Sequence, residues 1–270
     1  MGQLKFSIVT VVLNRRIYIR QAIENVLSQN YENFEHIVID GGSTDGTVGV
    51  LREYPHLKWI SEKDAGSVFA LNKGLALMSG DVFGWLNSDE TYLPNTFSKA
   101  ERYLEAHPDW DMIYGTSIFV DESGRKLGSN RLRQFNLRRQ ILGLTSIAAP
   151  SAMFMRIRAL NALGGRVNER WQHAYDHDLW IRMGMKFNIK AVRECFSTFG
   201  IHAQSGISTA PEHAQREAKL IRRHYGGERR LMDRLFWIPY SELYVSFYRR
   251  FKWSPMTARS RLPAAAGPPI

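Results

Sequence analysis

Residues 6–13, Phe-Ser-Ile-Val-Thr-Val-Val-Leu, form a nearly unbroken apolar run rich in β-branched side chains. A run this short, without polar alternation, predicts a strand buried on both faces of a parallel sheet. Asn14 ends it. Over residues 17–29 the period changes, and Ile19, Ala22, Ile23, Val26 and Leu27 fall on one helical face. Residues 36–40 predict a second strand, which runs into the turn-rich loop Gly41-Gly42-Ser43-Thr44-Asp45-Gly46-Thr47 and a helix through Arg52. A short third strand follows at 57–60, a helix at 69–78 closed by Ser79-Gly80, and a fourth strand at 81–86. Strands alternating with helices imply βαβ units, hence an α/β fold with one Rossmann-like, mostly parallel sheet flanked by helices.

The second half is more mixed. A helix is expected over 94–106 with Pro94 in its first turn, then a strand at 111–120 and a hairpin turn at 121–124. Residues 151–155 are strand-like, 159–163 helical, and Gly164-Gly165 a stop. A helix over 178–185 precedes two strands, 189–192 and 197–201. Beyond Ala214 the pattern is helical to Trp253, and the Pro- and Ala-rich stretch 254–270 reads as disordered.

Composition narrows the class. With 270 residues, 44% hydrophobic and 23% charged, the chain can bury an ample core. Its single cysteine, Cys195, excludes an internal disulfide and favours a reducing compartment, so a cytoplasmic location is expected. No stretch reaches the roughly 18 uninterrupted apolar residues of a membrane span, and residues 1–5 lack a signal peptide's apolar region. The net charge of +10 is concentrated late: residues 216–261 hold 12 Lys/Arg against 4 Asp/Glu. The nearly balanced body argues against nucleic-acid binding and for a basic appendage.

Acidic residues stand where predicted strands end, which is where open α/β sheets gather ligand chemistry. Asp89, in Asn87-Ser88-Asp89-Glu90, is a candidate ligand for a hard divalent cation, and such a cation suits a diphosphate. Asn87 points to the same side of an extended segment; Glu90 reads as a second ligand or as a solvent-facing charge. Asp40 can accept from a nucleobase N–H or ribose hydroxyl, or it can cap the turn behind it. Asp64, Asn72 and Lys73 can meet sugar and phosphate, or they can belong to an ordinary amphipathic helix. In Tyr175-Asp176-His177-Asp178 a buried carboxylate can act as general base; alternatively Asp176 caps the helix with Asp178 in its first turn. His202 can complete a metal site as neutral imidazole, or simply hydrogen-bond.

The ordered set of these pieces resembles the family 2 glycosyltransferases of the GT-A fold. The matching pieces are Ser7 to Thr10, Asn14, Ile39-Asp40-Gly-Gly-Ser-Thr-Asp-Gly-Thr47, Asp64-Ala-Gly66, Asn72-Lys-Gly74, Gly80-Asp81, Leu86-Asn-Ser-Asp89, Tyr114-Gly115, Gly164-Gly165, Asp176-His-Asp-Leu-Trp180 and His202. The resemblance is most like bacterial enzymes that assemble surface polysaccharides. It implies a GT-A catalytic domain over 1–214, with a nucleotide-binding half to about residue 115 and an acceptor half after it. It implies inverting transfer from a nucleotide diphosphate sugar to a hydroxyl of a glycan or lipid-linked acceptor. Thr10, Asn14, Asp40, Asp64, Asn72, Lys73, Asn87 and Ser88 would surround the donor, with Asp40 at the base. Asp89 would bind Mn2+ or Mg2+ with His202 close by, and Asp176 would be the general base. Three positions depart from the family pattern: Gly41 for a second Asp, Asn87 for the first Asp of the metal motif, and Tyr175 for a Glu before the base.

In the expected extension, 215–253, aromatic residues from Phe236 to Phe251 recur at helical steps beside Arg229, Arg230, Arg234, Arg249, Arg250 and Lys252. Such a segment suits an anionic membrane at the inner face of the plasma membrane, the chain's own domain, or the second subunit of a homodimer. Two other functions compete: a nucleotide-sugar-binding protein without turnover, motivated by Asn87, and a nucleotidyltransferase. The latter is disfavoured because Asn14-Arg15-Arg16-Ile17 lacks a glycine-rich phosphate loop.

Overall fold

The computed structural model describes residues 3–144, 147, 149–202 and 211–227. The first half is β1 (Phe6–Val12), α1 (Arg16–Leu27), β2 (Phe34–Asp40), α2 (Thr47–Arg52), β3 (Lys58–Ser61), α3 (Ser67–Ala76) and β4 (Val82–Trp85). These strands lie in the order β3-β2-β1-β4, all parallel. Along β1 successive side chains enter opposite cores: Phe6 and Ile8 join one cluster, Val9 the other. Burial on both faces explains why this strand reads as a continuous apolar run. Val12 pairs with Asp40, so the loops holding Asn14 and Asp40 leave the sheet side by side.

The second half adds β5 (Glu90–Tyr92), α4 (Thr96–Ala106), β6 (Met112–Val120), β7 (Lys126–Ser129) and α5 (Leu137–Ile141). A 3₁₀ turn at Pro150–Ala152, β8 (Met153–Arg156), α6 (Ile157–Asn161), α7 (Tyr175–Lys186), β9 (Ile189–Gly200) and α8 (Pro211–His224) follow. The sheet continues β4-β8-β6-β9-β5, with β7 on β6. Parallel pairing holds through β3-β2-β1-β4 and again between β6 and β9, whereas β8, β7 and β5 pair antiparallel. β5 leaves β4 after four residues yet pairs at the far end of the order. Five Cα steps reach at most about 18 Å, whereas four flat strand spacings need about 19 Å. The sheet therefore curls, and Asp89 comes to the end of β9.

Several boundaries differ from the sequence reading. Pro94 lies outside α4, whose N-cap is Asn95 in the left-handed region. The two strands expected at 189–192 and 197–201 are one strand, β9, which keeps pairing with β6 across register shifts at Tyr114–Ser117. Gly115 permits this: a Cβ there would collide with the Glu194 carbonyl oxygen. α7 begins at Tyr175 with Ala174 as N-cap, so Asp176 is not the cap. The boundary expected at 214/215 falls inside α8, and α8 packs on α7 through Ile221, Trp171, Ala174 and Ile181. The expected aromatic extension at 229–253 and the tail at 254–270 lie outside the described residues. No helix among the described residues is long and apolar enough to cross a membrane.

Candidate active site

The parallel strands deliver their loops to one edge. Asn14, at φ 53°, accepts the Thr44 N–H at 2.8 Å, and its own N–H reaches Ser43 Oγ at 2.7 Å. Asp40 is fully buried. Its Oδ2 accepts from Gly42 N at 3.1 Å, Ser43 N at 3.0 Å and Ser61 Oγ at 2.7 Å, and Oδ1 accepts from Ser43 Oγ. This is the turn-holding role open to it from sequence. The carboxylate shapes the 41–46 loop, and little of it remains for a base. Lys73 pairs with Asp64 at 2.6 Å and also with Glu62. Asp64 leaves Oδ2 buried without a hydrogen-bond partner. Asn72 ties α3 to the segment before α7, donating to Glu169 Oε1 at 2.8 Å and accepting from Val167 N at 2.9 Å.

The structure does not bring Thr10 to this edge. Its hydroxyl lies 3.0 Å from His36 Nε2, both side chains fully buried, because position 10 faces the α1 side of the sheet. Asn72 and Lys73 are likewise committed to protein partners, so a direct role with sugar or phosphate would require those contacts to open.

Past β4 the chain turns through Asn87–Asp89. Asn87 Oδ1 accepts from Trp85 Nε1 at 3.1 Å, and its Nδ2 donates to Glu90 Oε1 at 2.9 Å. Ser88 is buried. Glu90 is not solvent-facing: it is 2% exposed with Oε2 unpartnered among the described residues. Burial, reinforced by Asp89, lifts its carboxyl to about 8. Asp89 Oδ2 lies 2.9 Å from His202 Nε2 across 113 residues of sequence. Gly200 allows that approach, since a Cβ there would sit 2.8 Å from the Asp89 carbonyl oxygen. Tyr18 stacks on the His202 ring at 5.0 Å and 11°.

Among the described residues no three His, Cys, Asp or Glu side chains cluster as a metal cage. The donor set that does exist, one carboxylate and one imidazole, fits a Mg2+ or Mn2+ ion held jointly with substrate phosphates. Such ions commonly keep one or two carboxylates and take their remaining ligands from phosphate and water.

The opposite wall is the start of α7. The Tyr175 ring stacks on Trp85 at 5.5 Å and 13°, and its hydroxyl donates to Ser67 Oγ at 3.2 Å. One residue holds the end of β4, the start of α3 and the start of α7 together. Asp176 is half-buried, and among the described residues its carboxylate accepts from backbone alone, with the neighbouring His177 N–H at 2.8 Å. Burial pushes it up to about 6. Asp178, two residues on, is fully buried and accepts from Trp171 Nε1 at 3.2 Å, Tyr225 Oη at 2.9 Å and Arg182 Nε at 2.8 Å.

The curled sheet thus gathers Asn14, Asp40, Asp64, Asn87, Ser88, Asp89, Asp176 and His202 at or near one edge. Trp85, Tyr175 and Tyr18 also belong there by their contacts. The sequence singles out Tyr175 only as a departure from the family pattern, and Trp85 and Tyr18 read as ordinary aromatic core positions.

The model for "Glycosyl transferase family 2" matches residues 7–164. An uncharacterised glycosyltransferase of Rickettsia prowazekii is 28% identical over 217 residues, 76% of this chain and 66% of that protein. A second, from Rickettsia felis, is 30% identical over 192 residues but is spanned over only 31% of its length. One from Mycobacterium tuberculosis is 28% identical over 243 residues, 83% of this chain and 87% of that protein. Among solved structures, Staphylococcus aureus TarS 1-349 in complex with UDP-GlcNAc has a TM-score of 0.66 at 19% identity, covering 81% of this chain and 65% of that one. The mannosyltransferase PcManGT from Pyrobaculum calidifontis, in complex with GDP-Man and Mn2+, has a TM-score of 0.61 at 19% identity, covering 82% and 65%. These structural likenesses establish the fold. Because the family model covers more than half of the chain, the chain belongs to glycosyl transferase family 2.

Proposed function

We propose that this chain is an inverting glycosyltransferase. It moves a sugar from a nucleotide diphosphate sugar to a hydroxyl of a glycan or lipid-linked acceptor, in the making of surface polysaccharide. The observation that carries the reading is Asp176, a half-buried carboxylate raised to about 6 that, among the described residues, accepts from backbone N–H of its own turn and from no side chain. Tyr175 and Trp85 join it to the strand that leads to Asp89. A base of this kind is ionised at neutral pH yet basic enough to take a proton from an attacking hydroxyl.

Asp89 and His202 would hold the divalent cation, whose chemistry there is to neutralise charge on the departing diphosphate. The bond from the anomeric carbon to the diphosphate oxygen breaks as the acceptor oxygen attacks from the opposite side. The acceptor proton passes to Asp176, and the configuration inverts. Asn14 and Asp40 shape the loop along which the nucleoside would lie, and Asn87 supplies a neutral polar group beside it.

The test is release of nucleoside diphosphate from a panel of UDP- and GDP-sugars, with Mn2+ or Mg2+ present and with chelator. Asp89→Ala should abolish the metal response, and Asp176→Asn should lower turnover while donor binding persists. Full activity in Asp176→Asn would overturn the base assignment.

A further inference from the structure

α7 carries Asp176 in its first turn but has no capping side chain of its own. Its N-cap is Ala174, and no side chain caps it from within the local sequence. Helix starts leave backbone N–H groups without intrahelical partners. Here the N–H of the N-cap Ala174 and those of the two residues before it are taken by a residue 43 to 45 positions away. Glu217, on α8, accepts from Gln172 N at 3.0 Å through Oε1, and from His173 N at 2.7 Å and Ala174 N at 3.0 Å through Oε2.

The rest of α8 pins the same helix. Ile221 is fully buried against Trp171, Ala174 and Ile181, and Tyr225, just past α8, donates to Asp178 at 2.9 Å. An anion on these donors is favourable at a helix N-terminus. It also occupies the three backbone N–H groups that precede the first turn of α7, two to four residues before the base, whose carboxylate accepts the His177 N–H.

We propose that Glu217 is a positioning residue for transfer: through the backbone of 172–174 it fixes the first turn of α7, and with it the place and hydrogen bonding of Asp176. The inference rests on the reading of Asp176 as the base. α8 is accordingly part of the catalytic unit. A chain cut after Ala214 loses Glu217, Ile221 and Tyr225 together, so such a truncation cannot isolate the role of the segment beyond α8.

The experiment compares full-length Glu217→Ala, Glu217→Gln, Asp176→Asn and the Glu217→Ala/Asp176→Asn double variant. Misplacing a catalytic group by about 1 Å can cost up to about 10²-fold in rate. Glu217→Ala should therefore lower kcat about 10- to 10²-fold and leave the donor KM nearly unchanged. Glu217→Gln, which keeps an acceptor oxygen at the same reach, should recover part of the loss. Coupled residues are non-additive, so the double variant should be no slower than Asp176→Asn alone. Independently of activity, hydrogen exchange of amides 172–174 should quicken in Glu217→Ala while the β1 and β4 amides do not change.

Wild-type kcat in Glu217→Ala overturns the proposal, as does a further loss in the double variant below Asp176→Asn. Should Asp176→Asn itself retain full turnover, the base reading fails, and the exchange data alone decide whether Glu217 fixes the 172–174 segment. If Glu217→Ala does not fold, Glu217→Gln carries the same measurements.

Discussion

The loop after β2 and the first turn of α7 each present an aspartate at the end of an element, and the two are built for opposite purposes. Asp40 is fully buried and accepts from two backbone N–H groups and two serine hydroxyls. A carboxylate so filled holds a loop in shape. Asp176 is half-buried and, among the described residues, accepts from the backbone of its own turn and from no side chain. It pays the cost of burial without the compensation, and its carboxyl is raised to about 6. Asp178 shows how local the distinction is: two residues further along α7, full burial comes with an arginine, an indole and a phenol as partners. On the proposed reading of Asp176 as the base, the number of donors aimed at a carboxylate, rather than its place in a motif, separates scaffold from chemistry.

The largest effect should come from Asp176→Asn, with turnover falling about 10²- to 10⁴-fold, the usual worth of positioned proton transfer. Single-turnover assays alongside donor titration would check that binding survives.

Next comes Asp178→Ala. Removing one partner of a buried ion pair typically costs about 3–5 kcal/mol. Urea unfolding should report destabilisation of that order; a loss below about 1 kcal/mol, the worth of a surface pair, would erase the contrast with Asp176.

The third prediction concerns the pH dependence that Asp176 gives the fold. The folded-state carboxyl of Asp176 lies above its ordinary value of 3.8, at about 6. Between those values the folded state binds more protons than the unfolded one, so this group costs stability as pH rises through the window. At pH 8 the cost is complete, and at pH 3 it is absent. Asp176→Asn should therefore be more stable than wild type at pH 8, by on the order of 1–2 kcal/mol after discounting for partial exposure, and equal to it at pH 3. In the wild-type rate profile, kcat/KM should fall tenfold per pH unit below about 6 as the base protonates.

The smallest effect belongs to Tyr175→Phe. It keeps the stack on Trp85 and loses only the hydroxyl contact with Ser67, worth about 0.5–1.5 kcal/mol. Tyr175→Ala, which removes the stack, should lower turnover as well as stability.

Much of the fold was legible because its signals are local. A parallel strand covered on both faces must be apolar at nearly every position, so β1, β2 and β4 stand out in the chain, and the residues just behind them were the right places to look for ligand chemistry. β5 and the unity of β9 were not legible. β5 is three residues long, and β9 carries the polar stretch Arg193-Glu194-Cys195 through its register shift with β6. Thr10 shows the same limit at a single residue: its strand was clear, but which face it presented depended on His36 across the sheet.

What the sequence by itself determined is the α/β class, the places of the first four strands along the chain and the positions of Asp40, Asp89 and Asp176 at element ends, because hydrophobic period and turn chemistry act over a few residues. The tertiary structure alone decided which of those acids stays uncommitted. The partners that settle it come from far along the chain, from Ser61 for Asp40, from His202 for Asp89, and from Glu217 for the backbone beneath Asp176. No local pattern records a partner that only the curled sheet and the docked α8 bring within hydrogen-bonding distance.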